Sequence, residues 1–512
     1  MTRSLRLLAA GALTLAALGA SAAPALASKT QESIFQDDGL LGGTNLGAQT
    51  GAMSQLSQLG VKTVRVLVHW TDLAPNPHSS RVPHVNLSSP SAYRGWERFD
   101  HIARLGQMLG IRVSLDLVGG VPNWAQTGIC RSTNAVVRSE CTPSPGRFHQ
   151  LAVAAGIRYS GSYPDGNGGT LPRIGSWQVW NEPNQSGWLS PQLKRTSRGV
   201  ILASPLLYRR LALAEISALY ATGHGADRIL VADTAPLGAS YGRPGDLSRK
   251  NTAPAEFLDA VFCLDSHLHR LRGTAARQQG CTGRIQKLRV TGFSHHPYEQ
   301  GGGFSPTHAV KSDEITINHA NRLERLLDAA ARNGAITGPR LPIYYTEYGF
   351  QTNPPDQLLG LPLNEQALFI NESDWIAFND PRIMGVAQYA LADDASISGF
   401  NTGLEFNDGR RKPSYDAYRL PIYVVKHRGG VLVWGEVRPG DHTQLQSVAI
   451  QTRSGRTWNT QATAQTADFN GAPNAGGFFE KKLNGVAPAY RVMWVAPDGT
   501  TFTSRSAQAA AH

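Results

Sequence analysis

Cysteine is scarce in this sequence, with four residues among 512. A structural zinc site would need closely spaced cysteine pairs or interleaved histidines, and the spacing here offers neither. The cysteines form two sequence-local pairs, and the simplest of three possible connectivities joins Cys130 to Cys141 and Cys263 to Cys281. Because disulfides persist in oxidising spaces, this interpretation predicts an exported protein.

Charged residues are also few, at 17% of the chain against 41% hydrophobic residues. This balance is typical of a globular protein and excludes a disordered one. The formal net charge is +11, but the lysines and arginines are scattered rather than clustered. We interpret the charge as a general attraction to anionic surfaces or acidic polymers, and we expect no nucleic-acid partner, which is the weaker alternative.

Long apolar runs are absent except at the N terminus, where Arg3 and Arg6 precede the run Leu7–Leu18 and small residues follow at 25–27. This order is typical of a secretory signal, and the run is shorter than the roughly 20 residues that a membrane span needs. We predict a signal peptide over residues 1–27 and a secreted protein, extracellular or associated with the cell envelope. A membrane anchor is the alternative, and no later segment is apolar enough to span a bilayer.

From residue 34 to 425, short β-branched runs alternate with longer amphipathic stretches, as in repeated βα units. Amphipathic helices are predicted at 99–108, 206–220 and 321–331, where apolar residues recur every three or four positions. The predicted strands are 34–36, 63–68, 112–117, 176–180, 228–232, 288–293, 342–346 and 383–389. Eight strands alternating with helices predict an α/β fold of the closed (β/α)8 TIM barrel type over residues 28–426.

The competing architecture, an open doubly wound sheet, predicts a glycine-rich phosphate turn after an early strand. Gly42-Gly43 lacks the rest of that pattern.

After residue 427 the sequence changes to short alternating runs separated by turn signals, which predicts a C-terminal all-β sandwich over 427–512. We expect this domain to pack against the barrel rather than to bind sugar, and we expect residues 506–512 to be frayed.

Two glutamates stand at the ends of predicted barrel strands, where this fold presents its catalytic groups. Glu182 follows the fourth strand in the segment Trp180-Asn181-Glu182-Pro183-Asn184, and Glu347 follows the seventh in Thr346-Glu347-Tyr348-Gly349. Hydrolysis of a glycosidic bond needs one carboxylic acid and a second carboxylate. The alternative to a catalytic role is a structural one, as a loop carboxylate for Glu182 and as a helix-capping residue for Glu347.

These two motifs, in this order, resemble glycoside hydrolase clan A, most closely family 39 and related families, with family 5 less close. The resemblance implies a retaining glycoside hydrolase without metal or organic cofactor, with Glu182 as acid/base and Glu347 as nucleophile. It also implies that Asn181 holds the sugar 2-hydroxyl. The predicted substrate is a poly- or oligosaccharide, and we expect a monomer.

Further residues match the clan with less specific signals. Arg65 in the second strand matches an arginine that places a positive charge beside the nucleophile, although an ordinary ion pair is the alternative. His296 and Tyr298 after the sixth strand match a histidine that lines the site and a tyrosine that hydrogen-bonds the nucleophile. Because alternate residues of a strand face opposite sides, we expect the His295 side chain to pack within the barrel instead of lining the site.

Tryptophans at or near strand ends are candidate sugar platforms, although each is equally consistent with the core. They are Trp70, Trp124, Trp180 and Trp188. Two departures from the clan concern the first sugar subsite: the third strand ends without the common histidine, and the eighth strand carries Tyr389 in a segment where tryptophan is common. Two alternatives to hydrolysis stay open, a catalytically silent sugar-binding or envelope scaffold and a transglycosylase that uses the same site.

Overall fold

The computed structural model describes residues 31–128, 134–197, 199–239, 251–299, 304–396, 399–466 and 477–511. Its strands in chain order are β1 (Glu32–Gln36), β2 (Thr63–His69), β3 (Arg112–Val118), β4 (Ser176–Val179), β5 (Leu193–Thr196), β6 (Gly199–Leu202), β7 (Arg228–Thr234), β8 (Gly292–His295), β9 (Ile343–Tyr345), β10 (Thr352–Asn353), β11 (Leu361–Pro362), β12 (Ile383–Tyr389), β13 (Ile422–His427), β14 (Gly430–Glu436), β15 (Ser447–Ser454), β16 (Thr457–Gln465), β17 (Phe478–Asn484), β18 (Tyr490–Val495) and β19 (Thr501–Thr503).

Helices alternate with the barrel strands, and the longer ones cover the barrel on the outside. They are α1 (Leu46–Gln58), α2 (Trp70–Leu73), α3 (Glu97–Leu109), α4 (Ala135–Ser139), α5 (Pro145–Arg158), α6 (Ser204–Ala221), α7 (Pro254–Val261), α8 (Gly273–Gln278), α9 (Ala320–Arg332), α10 (Leu363–Phe378) and α11 (Pro413–Arg419). In α9 the buried residues Leu323, Leu326, Leu327 and Ala330 repeat at helical spacing, so one face packs on the barrel.

Eight parallel strands close into a barrel in the order β1-β12-β9-β8-β7-β4-β3-β2, which confirms the predicted TIM barrel. Closure is completed where β1 pairs in parallel with both β12 and β2. Because all strands run the same way, their carboxyl ends meet at one mouth. The loops that follow β4 and β9 therefore lie at the same end of the molecule.

Alternation along each strand separates an apolar outer face from an inner face with two layers. Val64, Val66 and Val68 of β2 face the helices within the main hydrophobic core. At the bottom of the barrel, a small apolar cluster including Ile34, Leu230, Tyr344 and Ala387 fills the interior. Toward the mouth, the inward residues are polar, and this layer positions the candidate site.

The C-terminal domain consists of two antiparallel sheets, β13-β14-β17 and β16-β15-β18-β19, which enclose a shared apolar core. This arrangement confirms the predicted all-β domain. The sheet β13-β14-β17 also packs outward on α10 of the barrel through Trp434, Phe478 and Phe378. The domain therefore contacts the barrel through an aromatic interface, as expected from the sequence.

Several boundaries differ from the sequence-based expectation. The sixth barrel strand is Gly292–His295 and not 288–293, because Leu288 forms only an isolated bridge with Ile336, ahead of the continuous pairing of β8 with β9. The boundary at residue 427 divides β13, whose pairing with β14 begins at Ile422. The expectation of a frayed end is wrong for residues 506–511, since Ala507 pairs with Tyr490 and Ala510 pairs with Val425.

The Cys263–Cys281 disulfide is confirmed. Cys130 and the predicted signal peptide lie outside the described residues, so the Cys130–Cys141 disulfide stays a prediction. Across the described part of the chain, no helix combines the length and apolarity of a membrane span.

A buried ion cluster links the two domains. Arg438, just after β14, contacts Asp374 of α10 at 3.1 Å and Glu436 at 2.8 Å, and all three side chains are nearly inaccessible. Its Nη1 also donates to the carbonyl of Tyr418 at 2.7 Å. Two buried carboxylates therefore share one guanidinium at the domain junction.

We expect Arg438→Ala to lower the free energy of unfolding by about 3–5 kcal/mol, because it leaves two buried carboxylates without their cation. Urea unfolding followed by tryptophan fluorescence measures the loss. Arg456→Ala, which removes an exposed arginine of the same domain, is the matched control and should change stability little. Equal stability of the two variants would contradict an energetic role for the cluster.

Candidate active site

Glu182 and Glu347 both lie at the mouth of the barrel, as the sequence predicts. β4 ends at Val179, and the chain then turns with positive φ at Trp180 (64°) and Glu182 (36°). Non-glycine residues seldom adopt this conformation, and it clusters at functional sites. The side chain of Asn184 fixes the turn by bonding the backbone of Ala235 at 2.9 Å and 3.0 Å.

The two carboxyl groups face each other. A carboxylate oxygen of Glu182, one of Glu347 and a ring nitrogen of His296 lie within 4.8 Å of one another. Each glutamate comes from a different strand, β4 or β9, so the barrel closure brings them together across the mouth.

Glu347 is held by donors to both of its oxygens. Nη1 of Arg65 donates to Oε2 at 3.0 Å, and the hydroxyl of Tyr298 donates to Oε1 at 3.1 Å. Burial and the nearby Glu347 raise the pKa of Tyr298 well above its usual value, so the hydroxyl keeps its proton. The contacts that the sequence predicts for Arg65 and Tyr298 are therefore both present.

Arg65 is fully buried, and its five N–H groups meet five acceptors. Nε donates to Gln178 at 2.9 Å, while Nη2 donates to Asp116 at 2.5 Å and to Asn181 at 2.7 Å. Nη1 donates to Glu347 and also to Gln36. Because these bonds use the whole donor set, the guanidinium has one orientation.

Asn181 has its side-chain oxygen turned toward Arg65. An arginine offers only donors, so the contact fixes which end of the amide is the oxygen. The amide nitrogen of Asn181 is therefore the end that remains to donate to a substrate hydroxyl. The predicted role of Asn181 in holding the 2-hydroxyl stays a prediction.

His296 lies between the two glutamates. Its Nδ1 is 3.1 Å from Oε1 of Glu182 and 3.8 Å from Oε2 of Glu347, and its Nε2 is 3.5 Å from Oδ1 of Asp233. Burial alone would lower the pKa of His296, but the three carboxylates outweigh burial and raise it to about 9. The ring is therefore an imidazolium at neutral pH.

Glu182 has the environment of a proton donor. Burial is the largest influence and raises the pKa of Glu182, with the neighbouring Glu347 acting in the same direction and His296 opposing both. Its other oxygen accepts a hydrogen bond from Gln185 at 2.9 Å. Glu182 therefore holds a proton at a higher pH than an exposed glutamate does.

Two buried aspartates complete the site, and the sequence analysis did not select them. Asp233, at the end of β7, has a lowered pKa because Arg65 and His296 outweigh the effect of burial, and it accepts a hydrogen bond from Thr346 at 2.7 Å. Burial raises the pKa of Asp116 to about 7 despite Arg65. For Asp116 the available signal was its strand position, since two-residue alternation from Ser114 places it inside the barrel. Asp233 gave no such signal, because the pairing of β7 with β8 is irregular between Val231 and Thr234.

The same cluster is the one group of side chains, among those described, with donor atoms close enough for a metal ion. Its donor set does not suit a cation, however. Both nitrogens of His296 face carboxylates and carry protons, and the imidazolium and Arg65 already supply positive charge to Glu347 and Glu182. The chemistry of these residues points to acid and base reactions of the carboxyl groups.

The candidate tryptophan platforms fall into two groups. Trp70 and Trp180 are fully buried and Trp124 is 5% exposed, so these three rings belong to the core and the expectation of a platform is wrong for them. Trp70 packs edge-to-face on Trp124. Trp188 is half-buried and stacks on His69, with ring centroids 6.1 Å apart, which leaves it as the candidate platform.

His295 packs in the barrel wall, as alternation predicts. Its two ring nitrogens contact the hydroxyl of Thr234 and the carbonyl of Ile315, both at 2.8 Å. Burial lowers the pKa of His295 to about 3. At neutral pH the His295 ring is therefore neutral, whereas the adjacent His296 ring is a cation.

No family model and no curated protein matches this chain. Solved structures do match. A family 39 glycoside hydrolase from the gut symbiont Bacteroides cellulosilyticus WH2 has 14% identity and a TM-score of 0.51, covering 90% of this chain and 80% of that chain. A monomeric β-xylosidase from Caulobacter crescentus CB15 has 16% identity and a TM-score of 0.47, with 83% of each chain covered. A GH5_18 protein from Bifidobacterium longum subsp. infantis has 15% identity and a TM-score of 0.43, covering 76% and 77%. The first of these supports the expected resemblance to family 39 at the level of the fold.

We expect Asp233→Asn to lower the pKa of His296 by about one unit or more, because it removes a carboxylate that faces Nε2. An NMR pH titration of the histidine rings, with His296→Gln to identify the signal, measures the change. Asp227→Asn is the matched control, since Asp227 contacts His224 at 2.6 Å away from the site. An unchanged His296 titration in Asp233→Asn would contradict the assignment of its charge to this pair.

Proposed function

We propose that this protein is a glycoside hydrolase that cleaves O-glycosidic bonds of a poly- or oligosaccharide with retention of configuration. The observation that carries the proposal is the pair of glutamates at the mouth, with oxygens within 4.8 Å. Retaining enzymes have carboxyl groups about 5–5.5 Å apart, whereas inverting enzymes need about 6.5–9.5 Å for a water molecule. The short separation therefore supports double displacement.

In the first step, Glu347 attacks the anomeric carbon while Glu182 gives its proton to the departing glycosidic oxygen. The C–O bond to the leaving group breaks, and an ester bond to Glu347 forms. In the second step, Glu182 takes a proton from water, the water oxygen attacks the anomeric carbon, and Glu347 departs. Each step returns Glu182 to the state that the next step requires.

The roles follow from the contacts of each carboxyl group. Glu347 is aligned by Arg65 and Tyr298, which bond one oxygen each and hold the carboxylate toward the cavity. Glu182 has a pKa raised by burial, which suits a general acid. His296 contacts Glu182 at 3.1 Å and so supplies a fixed positive charge beside the group that loses and regains a proton.

We also propose that the protein is exported. The charged, apolar and small-residue order of residues 1–27 and the Cys263–Cys281 disulfide support this localisation. N-terminal sequencing of the protein recovered from culture medium tests it, with a mature terminus near Ser28 as the expected result. Retention of the intact N terminus inside the cell would contradict export.

The two glutamates should fail in different ways when each is replaced. Glu347→Ala removes the group that forms the glycosyl-enzyme, so all substrates should lose activity by several orders of magnitude, and added azide should restore turnover with an inverted product. Glu182→Ala should spare formation of the glycosyl-enzyme from activated aryl glycosides but not from natural ones. Glu97→Ala, an exposed glutamate on α3, is the control. Equal losses on both substrate classes would refute these roles.

The pH profile and the product anomer provide a second test. Activity requires protonated Glu182, so the raised pKa should move the basic limb of kcat/KM above the usual range of a glutamate, and Glu182→Gln should abolish that limb. NMR of the first-formed product should show the anomer of the substrate. An initially inverted product from the unmodified protein would exclude double displacement.

A further inference from the structure

Two adjacent aspartates follow β1, and their environments differ. Asp37 is buried, and its oxygens accept from the backbone amides of Leu40 at 2.8 Å and Leu391 at 2.9 Å. These bonds tie the loop after β1 to the loop after β12. Asp37 is therefore a structural residue of the barrel rim.

Asp38 makes no such backbone bonds among its hydrogen bonds in the structure. It is half-buried, and it accepts from Nε2 of Gln36 at 3.1 Å and 3.2 Å and from the hydroxyl of Tyr389 at 3.0 Å. Gln36 and Tyr389 are register partners at the ends of β1 and β12. Side chains at the strand ends therefore present the Asp38 carboxylate at the barrel mouth.

Asp38 is also close to the reacting groups. Gln36 donates to Asp38 through its nitrogen and accepts from Arg65 through its oxygen, and Arg65 in turn donates to Glu347. Tyr389 interacts with both Asp38 and Glu347, which together with burial raise its pKa. One amide and one guanidinium thus connect Asp38 to the proposed nucleophile.

An aromatic edge borders the same position. Phe400 meets Tyr389 edge-to-face with ring centroids 5.4 Å apart, and it is 49% exposed. Apolar faces of sugar rings pack on aromatic side chains, while their hydroxyl groups donate to carboxylates. Asp38, Tyr389 and Phe400 therefore combine both kinds of sugar contact near the ends of β1 and β12.

The charge of this position is negative. Asp38 lies beside Asp37, and burial raises the pKa of Asp38 while Arg65 acts in the opposite direction. The two cations of the site, Arg65 and His296, are already paired with other carboxylates. A sugar carboxylate or sulfate placed here would meet like charge without a cation to offset it. The net charge of +11 therefore does not describe the mouth of the barrel.

We propose that Asp38 is the specificity-determining residue for the sugar on the nucleophile side: its carboxylate accepts from hydroxyl groups of an uncharged glycone and rejects acidic sugars. The inference rests on the proposed function and deepens it by naming the substrate class. Asp38 acts through substrate contact and takes no part in proton transfer.

The test compares the unmodified protein with Asp38→Asn on para-nitrophenyl glycosides of neutral sugars, their monodeoxy analogues and the matching glucuronide. Losing a hydrogen bond to a charged group reduces kcat/KM about 10- to 100-fold, and we expect this loss for the hydroxylated neutral glycoside. On the deoxy analogue that lacks the hydroxyl bound by Asp38, Asp38→Asn and the unmodified protein should have nearly the same kcat/KM. The preference for neutral glycoside over glucuronide should fall by a similar factor.

Asp441→Asn, an exposed aspartate of the C-terminal domain, controls for the change in net charge, and Tyr389→Phe should give a smaller loss in the same pattern. Equal fractional losses on every deoxy analogue would show a merely structural role and overturn the inference while leaving the proposed function intact. So would undiminished discrimination against the glucuronide. Failure of the unmodified protein to hydrolyse any of these glycosides would overturn the inference, and failure on oligosaccharides and polysaccharides as well would overturn the proposed function.

Discussion

The site depends on one buried cation, the guanidinium of Arg65. It lies inside the barrel, where an unpaired charge would be strongly unfavourable, and each of its five N–H groups has an acceptor. The acceptors come from β1, β3, β4 and the segments that follow β4 and β9. Because the guanidinium is planar, this set of bonds fixes the relative positions of side chains from half of the barrel strands.

This constraint explains why the barrel interior has two layers. The bottom is closed by apolar side chains such as Ile34 and Leu230, which need no partners. The upper layer replaces water with fixed dipoles and charges, and its carboxylates and amides are arranged around the cations Arg65 and His296. Burial of Glu182 in that layer raises its pKa, while Arg65 and Tyr298 orient Glu347. Two chemically identical side chains thereby have different surroundings, which is the basis of the different roles proposed for them.

Much of this arrangement was predictable from the sequence, because it depends on local pattern. Alternating βα units predict the barrel, and the position of Glu182 and Glu347 at strand ends predicts that they share a mouth. Alternation also separates His296, which faces the site, from His295, which packs in the wall. The sixth strand was misplaced because Leu288 and its neighbours have strand-like composition, although Leu288 forms only an isolated bridge ahead of β8.

What the sequence left undetermined depends on strand register and on how deeply each side chain is buried. Trp70 stands at the end of β2, as a platform residue would, yet its ring turns back against Trp124 and is fully buried. Asp233 and Gln36 are ordinary polar residues in the sequence. The register of β1 on β2 places Gln36 beside Arg65, and the irregularity in the pairing of β7 with β8 brings Asp233 to Arg65 and His296. Asp37 and Asp38 are adjacent in the sequence, yet their carboxylates have different partners. The carboxylate of Asp37 binds loop backbone, whereas that of Asp38 is held by side chains at the mouth, where its charge bears on which sugars enter.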